Sequence, residues 1–382
     1  MVREVVVMKF LIAPDKFKGS LSASEVADAI AAGVRDVHPD ADIDVCPVAD
    51  GGEGTVNALI AATGGKLITR TVVGPLPEMK VDATFGLLPG NVAVIEMAAA
   101  SGLALLSTDQ RDPMATTTFG TGQLLAAARE VGATRVILGI GGSATIDAGI
   151  GCAQAAGLTV LLQDGEPVYD TEPLCGRDLE RVVLIKHGRG GAVDRLSIDV
   201  ACDVTNPLLG DNGAAAVYGP QKGASADDVK WFDQQLRHLA TRTGKLDIAE
   251  KPGAGAAGGL GFAMLAYFGA TLTPGIELVL NAVRFRERLK GVDLCITGEG
   301  RLDAQTAAGK AVHGVASACK DASVPCVAIA GSIDNDAAAT KIDGLSSVVS
   351  LVSEGVTVDR AMTEAASLIR ARTKQFLIDW QK

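Results

Sequence analysis

Short apolar runs that each end in a polar, glycine-rich turn recur along this chain, and that alternation constrains its fold more than any other feature. The runs are Phe10–Ala13, Ile43–Val48, Arg135–Ile140, Leu158–Gln163, Leu196–Cys202, Leu294–Thr297, Cys326–Ala330 and Val348–Val352, separated by longer Ala- and Leu-rich stretches. Strands alternating with helical patterns define an α/β fold with parallel strands. Ser22 and Glu25 stand in capping-box spacing, and Val26, Ala29 and Ile30 follow at helical intervals, so a helix starts there. Val81–Phe85 and Val92–Glu96 flank Pro89-Gly90-Asn91 and predict an antiparallel hairpin. At 382 residues the chain exceeds the roughly 250–300 at which one core stops growing. Two α/β domains are expected: residues 1–73 with 283–382, and residues 74–282.

Charge and composition narrow the function. The 35 Lys and Arg face 45 Asp and Glu, for a net charge of −10, and no clustered cations offer a footprint for phosphate backbones. Aromatic residues make up 4%, too few for base stacking, so no nucleic-acid partner is expected. No stretch has the 18 or more apolar residues of a membrane span, and the apolar run near Met1 is too short for a secretion signal. A cytoplasmic protein is expected, with Met8 as an alternative start. The seven cysteines form no C-x-x-C pair and read as small core hydrophobes rather than a disulfide framework or zinc site. With four histidines and no H-E-x-x-H, histidine chemistry is disfavoured. A Walker A motif fails at Ala304 and Ala311 around Gly309-Lys310, and the protein-kinase and G-x-S-x-G motifs are missing.

Five polar turns carry the chemistry. Lys16 and Lys18, after the first strand, can neutralise a phosphate or carboxylate. Asp50 with Gly51 and Gly52 pairs an acid, as base or metal ligand, with backbone that a ligand can approach. Gly139-Ile-Gly141-Gly142-Ser143-Ala144 follows a strand and precedes Asp164 by about 20 residues, which matches a dinucleotide fingerprint. It equally suits a close-packed turn, or an anion nest formed by Gly141, Gly142 and Ser143. A second string, Gly253 to Gly258, has no strand leading into it and fails the same test. Asp203 ends a strand and Asn206 precedes Pro207, while Glu299, Arg301 and Asp303 can hold a metal or orient a polar substrate. Together these turns point to phosphate chemistry by positioning and electrostatics.

In combination the segments resemble the bacterial type-1 glycerate kinases. The resemblance is carried by Ala13–Ser20, Ala49–Thr55, Ile95–Ala98 with Ala100–Leu103, Gly139–Thr145, Cys202–Gly210, Gly219–Ala224 and Thr297–Asp303 with Gln305-Thr306, in family order from Met8 onward. It implies ATP-dependent phosphorylation of D-glycerate, commonly on the 2-hydroxyl, with Mg²⁺. It also implies two α/β domains, one flavodoxin-like, with the active site in the cleft between them. The implied roles are Lys16 and Lys18 on the glycerate carboxylate or ATP phosphates, Arg301 as a bidentate partner and Gly141–Ser143 on an anion. Asn206 and Lys222 enter as binding residues, Glu299 and Asp303 as Mg²⁺ ligands, and Asp50 or Asp203 as the base. A homodimer is left open. The family pattern after Ser-Ala-Thr continues Asn or Thr, Asp, Gly, Gly, where this chain has Ile146-Asp147-Ala148-Gly149; Val312-His313 also departs from it. The alternatives are a nicotinamide-dependent dehydrogenase built on Gly139–Ala144 and a non-catalytic sugar-acid sensor, and neither accounts for the whole series.

Overall fold

A computed structural model describes residues 7–163, 165, 167–168, 172–187, 193, 196–303, 310–334 and 342–380. Asp164, Gln305, Thr306 and Gly309 lie outside the described residues. Among the described residues fourteen strands are numbered β1 to β14 in chain order. The chain divides into two compact units, Met1–Asp50 with Asn57–Gly64 and Gly275–Lys382, and Gly51–Val56 with Gly65–Pro274.

The first unit is built on a five-stranded sheet of order β14-β13-β12-β1-β2. Its strands are β1 (Lys9–Pro14), β2 (Asp42–Val45), β12 (Leu294–Leu302), β13 (Cys326–Ile333) and β14 (Ser347–Ser350). Every pairing is parallel. Phe10, Ile12, Leu294, Ile296, Val327 and Ile329 face the helices Ala23–Arg35 and Ala365–Trp380, through Val26, Ile30, Ile369 and Leu377. The helix Ala311–Asp321 also packs against β12 and β13. A sheet so covered needs apolar side chains at nearly every position, as the sequence of β1 supplies. Ser22 caps the first helix with the reciprocal Glu25 bond, as its spacing predicts. Counted within this unit the strand order is 2-1-3-4-5, the flavodoxin-like winding, whose switch point lies between β1 and β12.

The second unit carries a six-stranded sheet of order β11-β10-β6-β5-β4-β3. Here β5 (Val92–Glu96), β6 (Arg135–Gly139), β10 (Ser197–Ala201) and β11 (Thr271–Thr273) run parallel, while β4 (Lys80–Leu88) adds antiparallel to β5 and β3 (Lys66–Val73) antiparallel to β4. The predicted hairpin is β4–β5. Apart from Gly51–Val56, the compact units divide at Gly64/Gly65 and Pro274/Gly275: β3 pairs with β4 along its whole length, and Gly275–Ala282 packs on the helix Ala311–Asp321. One expectation differs from the structure. The run Leu158–Gln163 forms β7 (Leu158–Leu162) outside the parallel sheet, pairing antiparallel with β8 (Pro167–Val168) and β9 (Val182–His187).

Candidate functional site

In the first unit the acidic and cationic turns collect at the carboxyl end of the sheet. Asp15 follows β1 directly. Its N–H donates to the Gly298 carbonyl at 2.8 Å, and its carboxylate accepts from the Lys16 N–H at 2.6 Å. It is 9% exposed. Burial, reinforced by the charge of Asp50, pushes its carboxyl up to about 7, with Lys16 and Lys310 pulling the other way. Asp15 is absent from the residues singled out by sequence reasoning. Its signal was its place at the end of an apolar strand, beside the acid that follows β2, and burial of a carboxylate is not written in a local motif.

Across the switch point, β12 delivers the second acidic group. Thr297 Oγ1 donates to the Ala13 carbonyl at 2.8 Å and locks β12 to β1. Glu299 is buried, at 8% exposed, and Asp303 is half-buried just past the strand. Gly300 lets the turn after β1 approach: a Cβ there would lie 3.2 Å from the Lys18 nitrogen and Phe17 Cα. Lys16 is half-buried and Lys18 exposed. Arg301 is exposed, and its guanidinium already holds Asp334 through contacts of 2.6 to 2.9 Å, so an incoming anion would compete with that carboxylate. The structure thus brings Asp50, Lys16 and Lys310 into electrostatic range of Asp15, at a sheet end that also carries Glu299, while Arg301 points to a partner of its own.

In the second unit, Gly51 and Gly52 lie against the end of β6. A Cβ on Gly139 would meet the Gly51 carbonyl oxygen at 2.4 Å, so the close approach requires glycine. Glu96, the last residue of β5, accepts from the Gly54 and Val56 N–H groups at 3.1 and 2.8 Å and fixes the start of the helix Thr55–Thr63. The turn 141–145 is tied down by Leu103 N–H donating to the Gly142 carbonyl and Ala144 N–H donating to that of Ser101. Gly141 and Gly142 remain exposed. Below them Lys222, 2% exposed, donates from Nζ to Ser143 Oγ and to the Thr145 carbonyl, each at 2.7 Å. Burial pulls its ammonium down to about 7, opposed by Asp147.

Asp147 is fully buried and its carboxyl is raised by desolvation. Thr118 donates to it from N–H and Oγ1 at 2.8 and 2.7 Å, and Gly149 N–H donates to its other oxygen at 3.0 Å. These bonds make Asp147 the anchor beneath the turn. Ile146, the departure from the family pattern, is fully buried, and Ala148 takes a left-handed φ of +50° where the family has glycine. The helix after the turn begins only at Ile150, nine residues past Gly141, and is six residues long. That removes the glycine-to-helix junction a dinucleotide site needs.

The remaining predicted residues sit past β10. Asp203 is exposed. The Asn206 amide is committed to the loop: Nδ2 donates to the Asn212 carbonyl at 2.8 Å, and Oδ1 accepts from the Tyr218 hydroxyl at 2.7 Å. Among the described residues no helix is long and apolar enough to cross a membrane.

Two α/β units whose parallel strands end in acidic, cationic and glycine turns define a protein that handles small anions by position and charge. The family model described as the glycerate kinase family matches residues 10–381. A Bacillus subtilis (strain 168) glycerate kinase is 47% identical over 369 residues, covering 94% of each chain. A glycerate 2-kinase of Escherichia coli (strain K12) is 46% identical over 363 residues, again covering 94% of each. A solved structure from Salmonella typhimurium LT2, provisionally described as glycerate kinase 2, superposes with a TM-score of 0.87 at 42% identity over 98% of each chain. The chain belongs to the glycerate kinase family.

Proposed function

We propose that this chain transfers the γ-phosphoryl group of ATP to the 2-hydroxyl of D-glycerate, giving 2-phosphoglycerate and ADP. The observation that supports this most is that the family match spans the chain and includes every polar turn at the ends of the parallel strands of both units. Phosphoryl transfer through a loose transition state needs positioned reactants and neutralised charge, with little covalent work from the protein. Lys16 and Lys18 would neutralise the glycerate carboxylate or the ATP phosphates, and the exposed backbone at Gly141 and Gly142 suits an anion. Asp50 or Asp203 would accept the hydroxyl proton. Asp15, neutral for part of the time near pH 7, would keep the negative charge beside Asp50 low.

The donors at the end of β12 are hard carboxylate oxygens, the class that Mg²⁺ takes. Glu299 and Asp303 fit as its protein ligands, and the bound ion would offset charge on the nucleotide phosphates. Lys222 and Asn206 enter as positioning residues, since each is already bonded within its own loop. We place the protein in the cytoplasm.

The test is purified protein with D-glycerate, ATP and Mg²⁺, with ADP release followed and products resolved by ³¹P NMR. A 2-phosphoglycerate signal is the expected result. A 3-phosphoglycerate signal would correct the regiochemistry, and no phosphorylated product from folded protein would remove the assignment. Asp50→Asn and Asp203→Asn then identify the base, whose loss should lower kcat at least a hundredfold.

A further inference from the structure

Three of the seven cysteines, read from the sequence as separate core hydrophobes, meet at one point of the first unit. Cys295 in β12 and Cys326 in β13 are register partners on neighbouring parallel strands. By strand alternation their side chains lie on the face opposite Leu294, Ile296 and Val327. Cys319 reaches them from the helix Ala311–Asp321. The three Sγ atoms all lie within 4.8 Å of one another, and all three residues are 0% exposed.

We propose that this trio is a binding site for a soft, thiophilic metal cation, copper(I) being the ion it suits. Metal–sulfur bonds of about 2.3 Å place three sulfurs of a trigonal site about 4 Å apart. The trio therefore needs to contract by less than 1 Å from its 4.8 Å limit. Thiolate donors select soft ions and exclude Mg²⁺. Structural zinc takes four ligands, and among the described residues no other cysteine, histidine or carboxylate joins the three.

Each cysteine coordinates as its thiolate, so binding forms three copper–sulfur bonds and releases to solvent the protons the thiols carry. Copper stays monovalent, so no oxidant or reductant is required. The inference does not rest on the kinase reading.

The experiment is an anaerobic titration of the full chain with copper(I) supplied as its acetonitrile complex, against a chromophoric copper(I) chelator. One copper retained per chain is expected, with X-ray absorption showing sulfur-only ligation. Cys319→Ala should lower retention at least tenfold. Cys46→Ala and Cys152→Ala, which remove buried thiols elsewhere, should leave it unchanged. Circular dichroism verifies folding, and Cys295→Ser replaces Cys319→Ala if that variant does not fold. No copper on folded wild type, nitrogen or oxygen ligation, or equal retention by a folded trio variant would overturn the site. Because the readout is bound metal and its ligands, the outcome is independent of whether glycerate is phosphorylated.

Discussion

Replacing Lys222 by methionine should change how stability depends on pH far more than it changes stability at neutrality. The ammonium is 2% exposed and drawn from 10.5 to about 7 by burial. Between those values the unfolded chain holds a proton that the folded chain has released. Stability of the wild type therefore rises with pH over that interval, by up to about 1.4 kcal/mol per pH unit. Below pH 7 both states are protonated, and the gap corresponds to a burden of roughly 5 kcal/mol. Methionine removes that burden but leaves Ser143 Oγ and the Thr145 carbonyl without their 2.7 Å donor. Those losses are about 1–3 kcal/mol each, so the two effects oppose one another near neutrality. From pH 7.5 to 9.5 the wild type should then gain about 2–3 kcal/mol on Lys222→Met. Urea unfolding of both proteins across pH 6 to 9.5 measures this, since titrations common to both cancel in the difference. A difference flat to about 0.5 kcal/mol would refute a perturbed ammonium at this position.

Asp15→Asn should stabilise the fold and cost activity. The Asp15 carboxyl is raised from 3.8 to about 7, so the folded state holds the extra proton and stability falls as pH rises through that interval. At pH 8 the amide should gain about 2–4 kcal/mol in urea unfolding while turnover drops; an unchanged midpoint would show that Asp15 is not desolvated. Thr118→Val should lose about 2–3 kcal/mol, because the hydroxyl both donates to Asp147 and accepts from the Cys152 N–H at 2.9 Å; a loss below 0.5 kcal/mol would show the pair to be replaceable. Arg301→Ala should change stability by less than about 1 kcal/mol, since its pair with Asp334 is largely exposed, yet raise the KM for an anionic substrate several-fold in steady-state assays.

The parts of the fold legible in the sequence are those where one residue's environment follows from its neighbours in the chain. The strands β1, β6, β10, β12 and β13 are apolar because helices cover them, and their turns follow immediately. β3 escaped notice because it is an edge strand in which Lys66, Leu67, Thr69, Arg70 and Thr71 are exposed, so no buried stripe marks it. β7 has a strand's pattern, but its register with β9, Leu158 to His187, spans a separation that periodicity cannot see.

The same distinction runs through the candidate site. As sequence, Lys222 and Arg301 are equivalent: each is a cation in a polar motif, and each is a candidate anion ligand. Their environments are opposite. Lys222 becomes a buried positioning group because the turn 139–145 and the turn Pro220–Lys222 converge on it, two segments nearly eighty residues apart. Arg301 stays exposed because it alternates outward on β12 between Gly300 and the buried Leu302. Asp15 and Asp147 divide the same way from Asp203, since desolvation raises the first two while the third stays exposed. Residue type marks where charge is available; the crossing of distant segments decides whether that charge holds the scaffold or is left to meet a ligand.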